Sequence, residues 1–209
     1  MSRRRIARWM ANGALATTAL VALAGCASPA PSTTGPTSAA AASAAPSPAA
    51  TEQVAPGDIP DTQAFVTTTA PSGAWSIKVP EGWSQQTLPA GLLFTDKLNT
   101  IQAVERAASS APSVASVRST EVPALLKAHA GLRVTAVAPF TRAGGSGVMV
   151  AYQADSAKDP VTGKVHRDAS EEYLFFKQGR EVVVTLSGAV GADNVDPWKI
   201  VTGSFTWRR

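Results

Sequence analysis

The chain has 209 residues, with 19 Lys and Arg against 15 Asp and Glu and a formal net charge of +4. This length predicts one folded domain with additional segments. Four basic residues, Arg3, Arg4, Arg5 and Arg8, lie at the start, so the rest of the chain carries 15 basic and 15 acidic residues. A formally neutral chain does not indicate binding to nucleic acid or to an anionic membrane surface through a basic face.

Residues 1–25 have the organisation of an export signal. A basic stretch, 2–8, precedes a mostly apolar stretch, 9–22, which Asn12 and Gly13 interrupt. The apolar stretch is too short for a comfortable transmembrane helix, which needs about 20 apolar residues. We therefore expect these 25 residues to be removed as a signal peptide, and the three consecutive arginines leave twin-arginine export open as the route.

The only cysteine of the chain, Cys26, ends the sequence Leu23-Ala24-Gly25-Cys26. This sequence resembles the lipobox of bacterial lipoproteins, in which diacylglycerol alkylates the cysteine thiol and the signal is cut before that cysteine. The resemblance implies lipidation at Cys26 and attachment to the membrane, which is stable when two or more acyl chains are present. An unmodified cysteine in an ordinary signal peptide is the alternative. Lipidation would leave no thiol for a disulfide.

Residues 26–60 are predicted to be the lipidated cysteine followed by a disordered tether. The segment consists mainly of Ala, Ser, Thr, Pro and Gly, and it holds seven of the 15 prolines of the chain. It lacks the large apolar side chains that a core requires. A coil of about 30 residues spans roughly 30 Å on average, so the folded part would stand away from the membrane.

The composition changes near residue 61, and residues 61–209 are predicted to form a single domain dominated by strands. The segment 173–176 has apolar residues on both faces, and a Gln178-Gly179 turn joins it to the strand 182–186. Further strands are predicted at 75–79, 92–95, 100–106 and 148–152, with 92–95 and 100–106 forming a hairpin through 97–99.

Two helices are also predicted. Thr120 is the expected N-cap of the first, and Gly131 its stop signal. The apolar stripe of this helix consists of Val122, Leu125, Leu126 and His129. The second helix is predicted to begin at Asp196-Pro197, a typical pair for the N-cap and first helical position. The natural arrangement of these elements is an α+β fold, an antiparallel sheet with helices packed on it.

No catalytic motif is complete. Gly163-Lys164 lacks the glycine that a phosphate-binding loop places five residues earlier. The His-Arg-Asp triplet at 166–168 matches a kinase catalytic loop, but the asparagine expected after it is Tyr173. No Gly-x-Ser-x-Gly elbow is present, and His129 on a helix stripe is interpreted as a packed side chain. We therefore predict no catalytic residues.

Four side chains near the 155–168 loop raise the question of a metal site. Asp155, Asp159, His166 and Asp168 could converge on one ion, because carboxylate oxygens with one imidazole form reasonable ligand sets. The favoured interpretation is a solvated charged loop that keeps the hairpin apart from other sheets. We predict no metal and no cofactor.

Four other residues are candidates for contact with a ligand or partner: Trp83, Leu92, Phe94 and Trp198. Trp83 follows a Pro-Glu-Gly turn, where it could form an apolar contact surface with Leu92 and Leu93. In a lipid carrier, Leu92, Phe94 and Trp198 would line the cavity. Packing in the core is the alternative for Trp198.

Three segments carry a resemblance to known proteins. They are Trp75-Ser-Ile-Lys-Val-Pro-Glu-Gly-Trp83, Asp159-Pro-Val-Thr-Gly-Lys164, and 188–207 with its GADNVDPW and SFTW stretches. From about residue 65 to the end, the chain resembles small actinobacterial lipoproteins of the Mog1/PsbP-like class, including the LpqN family. The resemblance implies an α/β/α sandwich around an antiparallel sheet. It also implies an accessory role, since PsbP-like relatives bind larger assemblies and have no shared active site.

The expected function is that of a lipid-anchored, exported binding or accessory domain of the cell envelope, held at the extracytoplasmic face of the membrane. Its partner would be an envelope protein or a cell-wall glycolipid, which some LpqN-type proteins handle, and not a nucleic acid. A carrier of an envelope lipid or glycolipid is the alternative. A hydrolase is a minor alternative, which requires a pocket that brings His129 or His166 close to a carboxylate and a hydroxyl.

Overall fold

The computed structural model describes residues 55–159 and 161–208. The predicted signal peptide, the lipobox with Cys26 and most of the predicted tether lie outside the described residues. Within the described part, no helix has the length and apolar composition needed to cross a bilayer.

The described chain contains mainly antiparallel strands with three helices. In chain order these are β1 (Phe65–Thr69), β2 (Trp75–Pro80), β3 (Ser84–Leu88), β4 (Gly91–Asp96), β5 (Asn99–Ala107), α1 (Val114–Ser119), α2 (Glu121–Ala128), β6 (Arg133–Arg142), β7 (Gly145–Asp155), β8 (Arg167–Lys177), β9 (Arg180–Ala189), α3 (Val195–Ser204) and β10 (Thr206–Trp207). The predicted strands and the predicted α+β class are confirmed.

The strands form two sheets. Seven strands pair in the order β3-β4-β5-β9-β8-β7-β6, and three pair in the order β1-β2-β10. All of these pairs are antiparallel. Helices α1 and α2 cover one face of the large sheet, and the small sheet lies with α3 over the other. The molecule is therefore a sandwich in which one outer layer is helical and the other combines a helix with a small sheet.

Both predicted hairpins are confirmed, and both have tight turns. Asp96 pairs with Asn99, so the β4–β5 loop consists of two residues. At the β8–β9 turn, Gln178 has φ +50° and Gly179 has φ +79°. Two successive positive φ angles are the signature of the type I′ turn, whose twist matches that of the flanking strands.

An aromatic cluster joins the two sheets. The ring of Phe175 on β8 stacks on that of Phe205, with centroids 4.2 Å apart, and Phe140 meets Phe175 edge-on at 4.8 Å. Trp75 of the small sheet lies 6.0 Å from Phe205. Trp75, Phe175 and Phe205 have no exposed surface, so this cluster is the centre of the larger core.

A second, smaller core lies under the helices. Val117 of α1 and Leu125 of α2 pack with Val148, Val150 and Leu174 of the large sheet. Leu174 and its neighbour Phe175 thus belong to different cores. The predicted strand at 173–176, which is part of β8, is therefore covered on both faces, as expected.

The helical region differs in detail from the prediction. Helix α1, which the sequence analysis missed, is capped by Ser113 and Ser116. Thr120 is the N-cap residue of α2, as predicted, but its side chain makes no capping hydrogen bond, because its Oγ1 donates to the carbonyl of Ser116. Leu126 is 54% exposed, so the predicted apolar stripe is narrower than its spacing indicated.

Helix α3 begins at Val195 and not at Asp196, and its N-cap residue is Asn194. Hydrogen bonds to residues 57, 59 and 99 hold the Asn194 side chain in place. The buried Asn194 side chain donates to the Gly57 carbonyl and to Asn99 Oδ1, and it accepts the Ile59 N–H at 2.8 Å. Ile59 is itself buried. The folded contacts therefore begin before residue 61, the boundary predicted from composition.

Replacing Asn194 by Ala should lower the free energy of unfolding by about 1–3 kcal/mol, because buried polar partners are left without hydrogen bonds. Urea unfolding followed by tryptophan fluorescence measures this change. Asp196→Ala is a matched control in the same helix. Its contact with Lys199 is exposed, so we expect a change within about 0.5 kcal/mol. Equal effects of the two substitutions would contradict the conclusion that the buried hydrogen bonds of Asn194 stabilise the fold.

Candidate functional site

The helix-bearing face of the large sheet is only partly covered by α1 and α2. The helices pack over β6, β7 and the adjoining part of β8. Towards β5, β4 and β3 the same face carries polar side chains with partial or full exposure, such as Thr100, Gln102 and Gln86. A step therefore forms between the helical layer and the open part of the sheet.

Strand pairing aligns these polar side chains in two rows. Residues directly opposite each other on paired strands point to the same face, with Cβ atoms about 4.5–5.5 Å apart. One row carries only hydroxyls and contains Ser84, Thr95, Thr100, Ser187 and Ser170. The next row contains Gln86, Leu93, Gln102, Thr185 and Glu172.

The inner members of both rows form the floor of a groove of about 430 Å³, which we call the polar groove. Its walls are the end of α2 and the start of the loop that follows β7. The side chains that line it include Leu93, Thr100, Gln102, His129, Tyr152, Asp155, Ser156, Asp168, Ser170, Thr185 and Ser187. Most of these are hydrogen-bonding groups carried on strands, which hold them in fixed positions.

Carboxylates at one end of the polar groove are engaged by basic side chains. Asp168 Oδ1 lies 2.9 Å from His166 Nε2, and Asp155 Oδ1 accepts from Arg167 Nη1 at 2.8 Å. Burial raises the pKa of Asp168, while the nearby His166 opposes this shift. The lining thus carries little free positive charge, which favours a neutral or cationic ligand over an anion.

The four side chains considered as metal ligands do not converge. Asp159 Oδ1 accepts from the backbone N–H groups of Val161 and Thr162, and these bonds lower the pKa of Asp159. Asp155 and Asp168 have the separate basic partners described above. Among residues 55–159 and 161–208, no group of three or more His, Cys, Asp or Glu side chains is placed to hold a metal ion.

Neither histidine has a hydroxyl as a side-chain hydrogen-bond partner in the described part of the chain. His129 is exposed at the end of α2, with its ring 5.7 Å from that of Tyr152. Ser170 Oγ shares a hydrogen bond with Ser187 Oγ at 2.8 Å. In the described part of the chain, neither imidazole is hydrogen-bonded to a hydroxyl, which is the nucleophile–base contact that covalent catalysis requires.

A buried carboxyl lies beside the polar groove. Glu172 is 5% exposed, and Thr185 Oγ1 lies 3.5 Å from its Oε2. Burial raises the pKa of Glu172 to about 7, the neighbouring Glu121 adds to this shift, and Arg106 opposes it. Arg106 is itself paired with Glu121 and Glu181, each at 2.6 Å. Near neutral pH, the charge at this edge of the groove therefore depends on Glu172.

The four residues proposed from the sequence as ligand contacts lie elsewhere. Leu92 and Phe94 are each 2% exposed and belong to the larger core, so they have almost no surface to offer a partner. Trp83 and Trp198 are partly buried against the same core. The residue of β4 that lines the polar groove is Leu93, because alternation along the strand puts it on the face opposite to Leu92 and Phe94.

The groove residues on β5 and β9 were not identified from the sequence. The sequence feature that could have identified them is a polar residue at every second position: Thr100 and Gln102 in one strand, and Thr185 and Ser187 in the other. Such alternation indicates one polar face in each strand. It does not show that β5 and β9 are neighbours, and only their pairing makes a continuous surface.

No protein-family model matches the chain, and no curated protein matches it. Solved structures do match. The cyanobacterial PsbP (CyanoP) of Synechocystis has a TM-score of 0.46 and 12% identity, over 73% of this chain and 98% of that one. The Saccharomyces cerevisiae Ran-binding protein Mog1p has a TM-score of 0.45 and 9% identity, over 69% and 95%. LpqN of Mycobacterium tuberculosis, involved in cell envelope biogenesis, has a TM-score of 0.42 and 18% identity, over 71% and 87%.

A Bacteroides thetaiotaomicron protein also matches, with a TM-score of 0.43 and 9% identity over 68% of this chain. The chain spans about half of that protein, 48% of its length. PsbP, Mog1p and LpqN are the proteins whose class the sequence motifs resemble. The TM-scores of all four matches are below 0.5, and the fold class stated above rests on the strand order and pairing of this chain itself.

The pKa of Glu172 predicts a pH dependence of stability. In the folded chain this pKa is about 7, against 4.5 for a free glutamate. Between these values the unfolded chain binds fewer protons, so the contribution of Glu172 to the free energy of unfolding is full below pH 4.5 and is lost as the pH rises through 7. Glu172→Gln should remove this decline and be more stable than the parent above neutral pH, by roughly 1–3 kcal/mol.

Urea unfolding across this pH range measures the difference. Glu81→Gln, a change at an exposed turn residue, is the matched control and should leave the pH dependence of the parent chain unchanged. Parallel pH profiles for the parent and Glu172→Gln would contradict the assignment.

Proposed function

We propose that this protein is a lipid-anchored, exported binding domain of the cell envelope, without catalytic activity, and that it binds its partner in the polar groove. The observation that carries the proposal is the pair of hydroxyl and amide rows left open beside the helical layer. Exposed hydrogen-bonding groups on a rigid sheet are suited to recognising a polar ligand, because little conformational freedom is lost on binding.

The chemistry of the groove favours a partner rich in hydroxyl groups. Ser and Thr hydroxyls both donate and accept hydrogen bonds, and the Gln102 amide also does both. The nearby carboxylates of Asp155 and Asp168 accept hydrogen bonds and disfavour anions. The sugar part of a cell-wall glycolipid meets these requirements, whereas an acyl chain does not. We therefore place the glycolipid head group in the polar groove, with an envelope protein as the other candidate partner.

Two observations favour binding over the other functions considered. A hydrolase would need a hydroxyl hydrogen-bonded to the imidazole of His129 or His166. No such bond is present among the described residues, and Ser170 and Ser187 are bonded to each other. A lipid carrier would require a cavity lined by Leu92, Phe94 and Trp198. Leu92 and Phe94 instead fill the core between the two sheets.

The membrane anchor in this proposal rests on the lipobox-like sequence that ends at Cys26 and on the Ala, Ser, Thr and Pro-rich stretch that follows it. The first described residues that pack on the fold are Gly57–Ile59. About 30 residues therefore separate the proposed lipid from the first fixed point of the domain, which gives the groove freedom to reach partners away from the membrane surface.

Replacing Cys26 by Ala should move the protein from the membrane fraction to the soluble or secreted fraction, because the thiol that carries diacylglycerol is removed. Fractionation of cells that express the chain, followed by immunoblotting, measures the distribution. Ser28→Ala, two residues beyond the lipobox-like sequence, is the matched control and should stay with the membrane. Unchanged membrane association of Cys26→Ala would refute the anchor.

Groove binding is tested with the double variant Thr100→Val, Gln102→Leu in the Cys26→Ala chain, incubated with an extract of envelope glycolipids. Native mass spectrometry of the unmodified groove should show a discrete glycolipid adduct. The double variant should reduce its occupancy about tenfold, because two sets of hydrogen bonds are lost. Thr67→Val, an exposed position on the small sheet, should bind like the parent.

The other outcomes separate the alternatives. An adduct that the double variant retains would place the ligand outside the polar groove and favour the carrier function. A spectrum without any adduct would exclude the glycolipid partner, and a photo-crosslinker at residue 102 in intact cells would then test for an envelope protein.

A further inference from the structure

A second cleft, of about 610 Å³, lies at the far end of the sandwich and is strongly basic. The β1–β2 turn, the β8–β9 turn and the C-terminal strand surround it. Lys177, Arg180, Arg208, Trp207 and Ser72 line it, and none of its described lining residues is acidic. We call it the basic cleft.

The basic cleft is remote from the point where the chain enters the fold. The entry point is fixed by Asn99 at the start of β5, whereas Arg180 pairs with Ala107 at the end of β5. A strand of this length spans roughly 25 Å. An anchor that precedes residue 57 would therefore be attached at the opposite end of the sheet.

The cleft holds positive charge that its own residues do not neutralise. Lys177 and Arg180 are directly opposite each other across the β8–β9 pair, an arrangement of like charges that destabilises a sheet. Arg180 is 3.5 Å from Glu105. Within the described chain, no carboxylate lies within 4.0 Å of the side-chain nitrogens of Lys177 or Arg208.

The cleft also contains a tryptophan, Trp207. The indole N–H of Trp207 is shielded from solvent and has no hydrogen-bond partner among the described residues. Trp207 and Lys177 also line the adjoining cleft near Gly144 and Gly145. Because this N–H is shielded from water, a ligand in the cleft would contact the lining cations instead. Lys177 and Arg208 have no described carboxylate partner, and an oxyanion would neutralise them.

We propose that the basic cleft binds a phosphate-bearing ligand through Lys177 and Arg208, beside the indole of Trp207. Arginine presents a planar fork of donors that matches phosphate oxygens, and lysine adds a compact charge. The phosphate belongs either to a soluble molecule or to a lipid head group. This site is separate from the polar groove, and the inference does not depend on the function proposed for that groove.

Inorganic pyrophosphate is the first probe, titrated into the Cys26→Ala chain, which retains every described residue. Calorimetry should show saturable binding that weakens as salt is added, because the contacts are between charges. The indole N–H resonance of Trp207, assigned with Trp207→Phe, should shift during the same titration. The shift links binding to this cleft and not to the surface at large.

Lys177→Gln and Arg208→Gln should each weaken pyrophosphate binding about tenfold, the effect expected for one charge-assisted hydrogen bond. Lys97→Gln is the matched control, because Lys97 is an exposed lysine at the opposite end of the large sheet; it should bind like the parent. Without ligand, Lys177→Gln should melt at the same temperature as the parent or higher, since it removes a like-charge pair. A lower melting temperature would show that Lys177 has a structural role, and would count against the proposal.

Vesicles distinguish the two sources of phosphate. If phosphatidylglycerol vesicles sediment the chain, phosphatidylcholine vesicles do not, and pyrophosphate releases it, the ligand is a lipid head group. If pyrophosphate binds and neither vesicle does, the ligand is a soluble phosphorylated molecule. The proposal is overturned if neither pyrophosphate nor the anionic vesicles bind, or if Lys97→Gln weakens binding as much as Lys177→Gln.

Discussion

The stack of Phe205 on Phe175 is the contact on which the rest of the structure depends. Phe175 belongs to the large sheet, and Phe205 lies between α3 and the short strand that completes the small sheet. Gly144 is required at this point, because a Cβ there would collide with the ring of Phe205. The stack therefore fixes the small sheet and α3 against the large sheet, and it brings Trp207 to the basic cleft.

On the other face of the large sheet, which carries α1 and α2, the distribution of apolar side chains decides where the helices pack. The apolar side chains of the smaller core lie under α1 and α2. Beyond them the sheet carries mainly hydroxyl and amide side chains, with Leu93 between Gln86 and Gln102. A helix packs on a sheet where both bury apolar surface, because removing that surface from water is favourable. A row of polar side chains provides no such favourable free energy. The polar groove lies at this transition, and Glu172, buried near it, has a pKa near neutrality because desolvation disfavours its charge.

Charge is distributed unevenly although its total after residue 25 is zero. Aspartates at the polar groove are engaged by His166 and Arg167, whereas Lys177 and Arg208 at the far end have no carboxylate among the described residues within ion-pair distance. The net charge calculated from composition sums the charges at both ends of the domain, so it did not indicate the basic cleft.

The sequence by itself determined the strands β2, β4, β5, β7, β8 and β9, two hairpins and the burial of β8 on both faces, because alternation and turn chemistry are local properties of the chain. It did not reveal β1, β3 or β6. It did not determine the start of α3, which depends on Asn194 bonding to residues far away in the chain. Nor did it show which face of β4 meets the core, and so Leu92 and Phe94 were expected at a surface that Leu93 occupies. The polar groove and the basic cleft were decided only by tertiary structure, since strand order and sheet packing bring together residues that no local pattern relates.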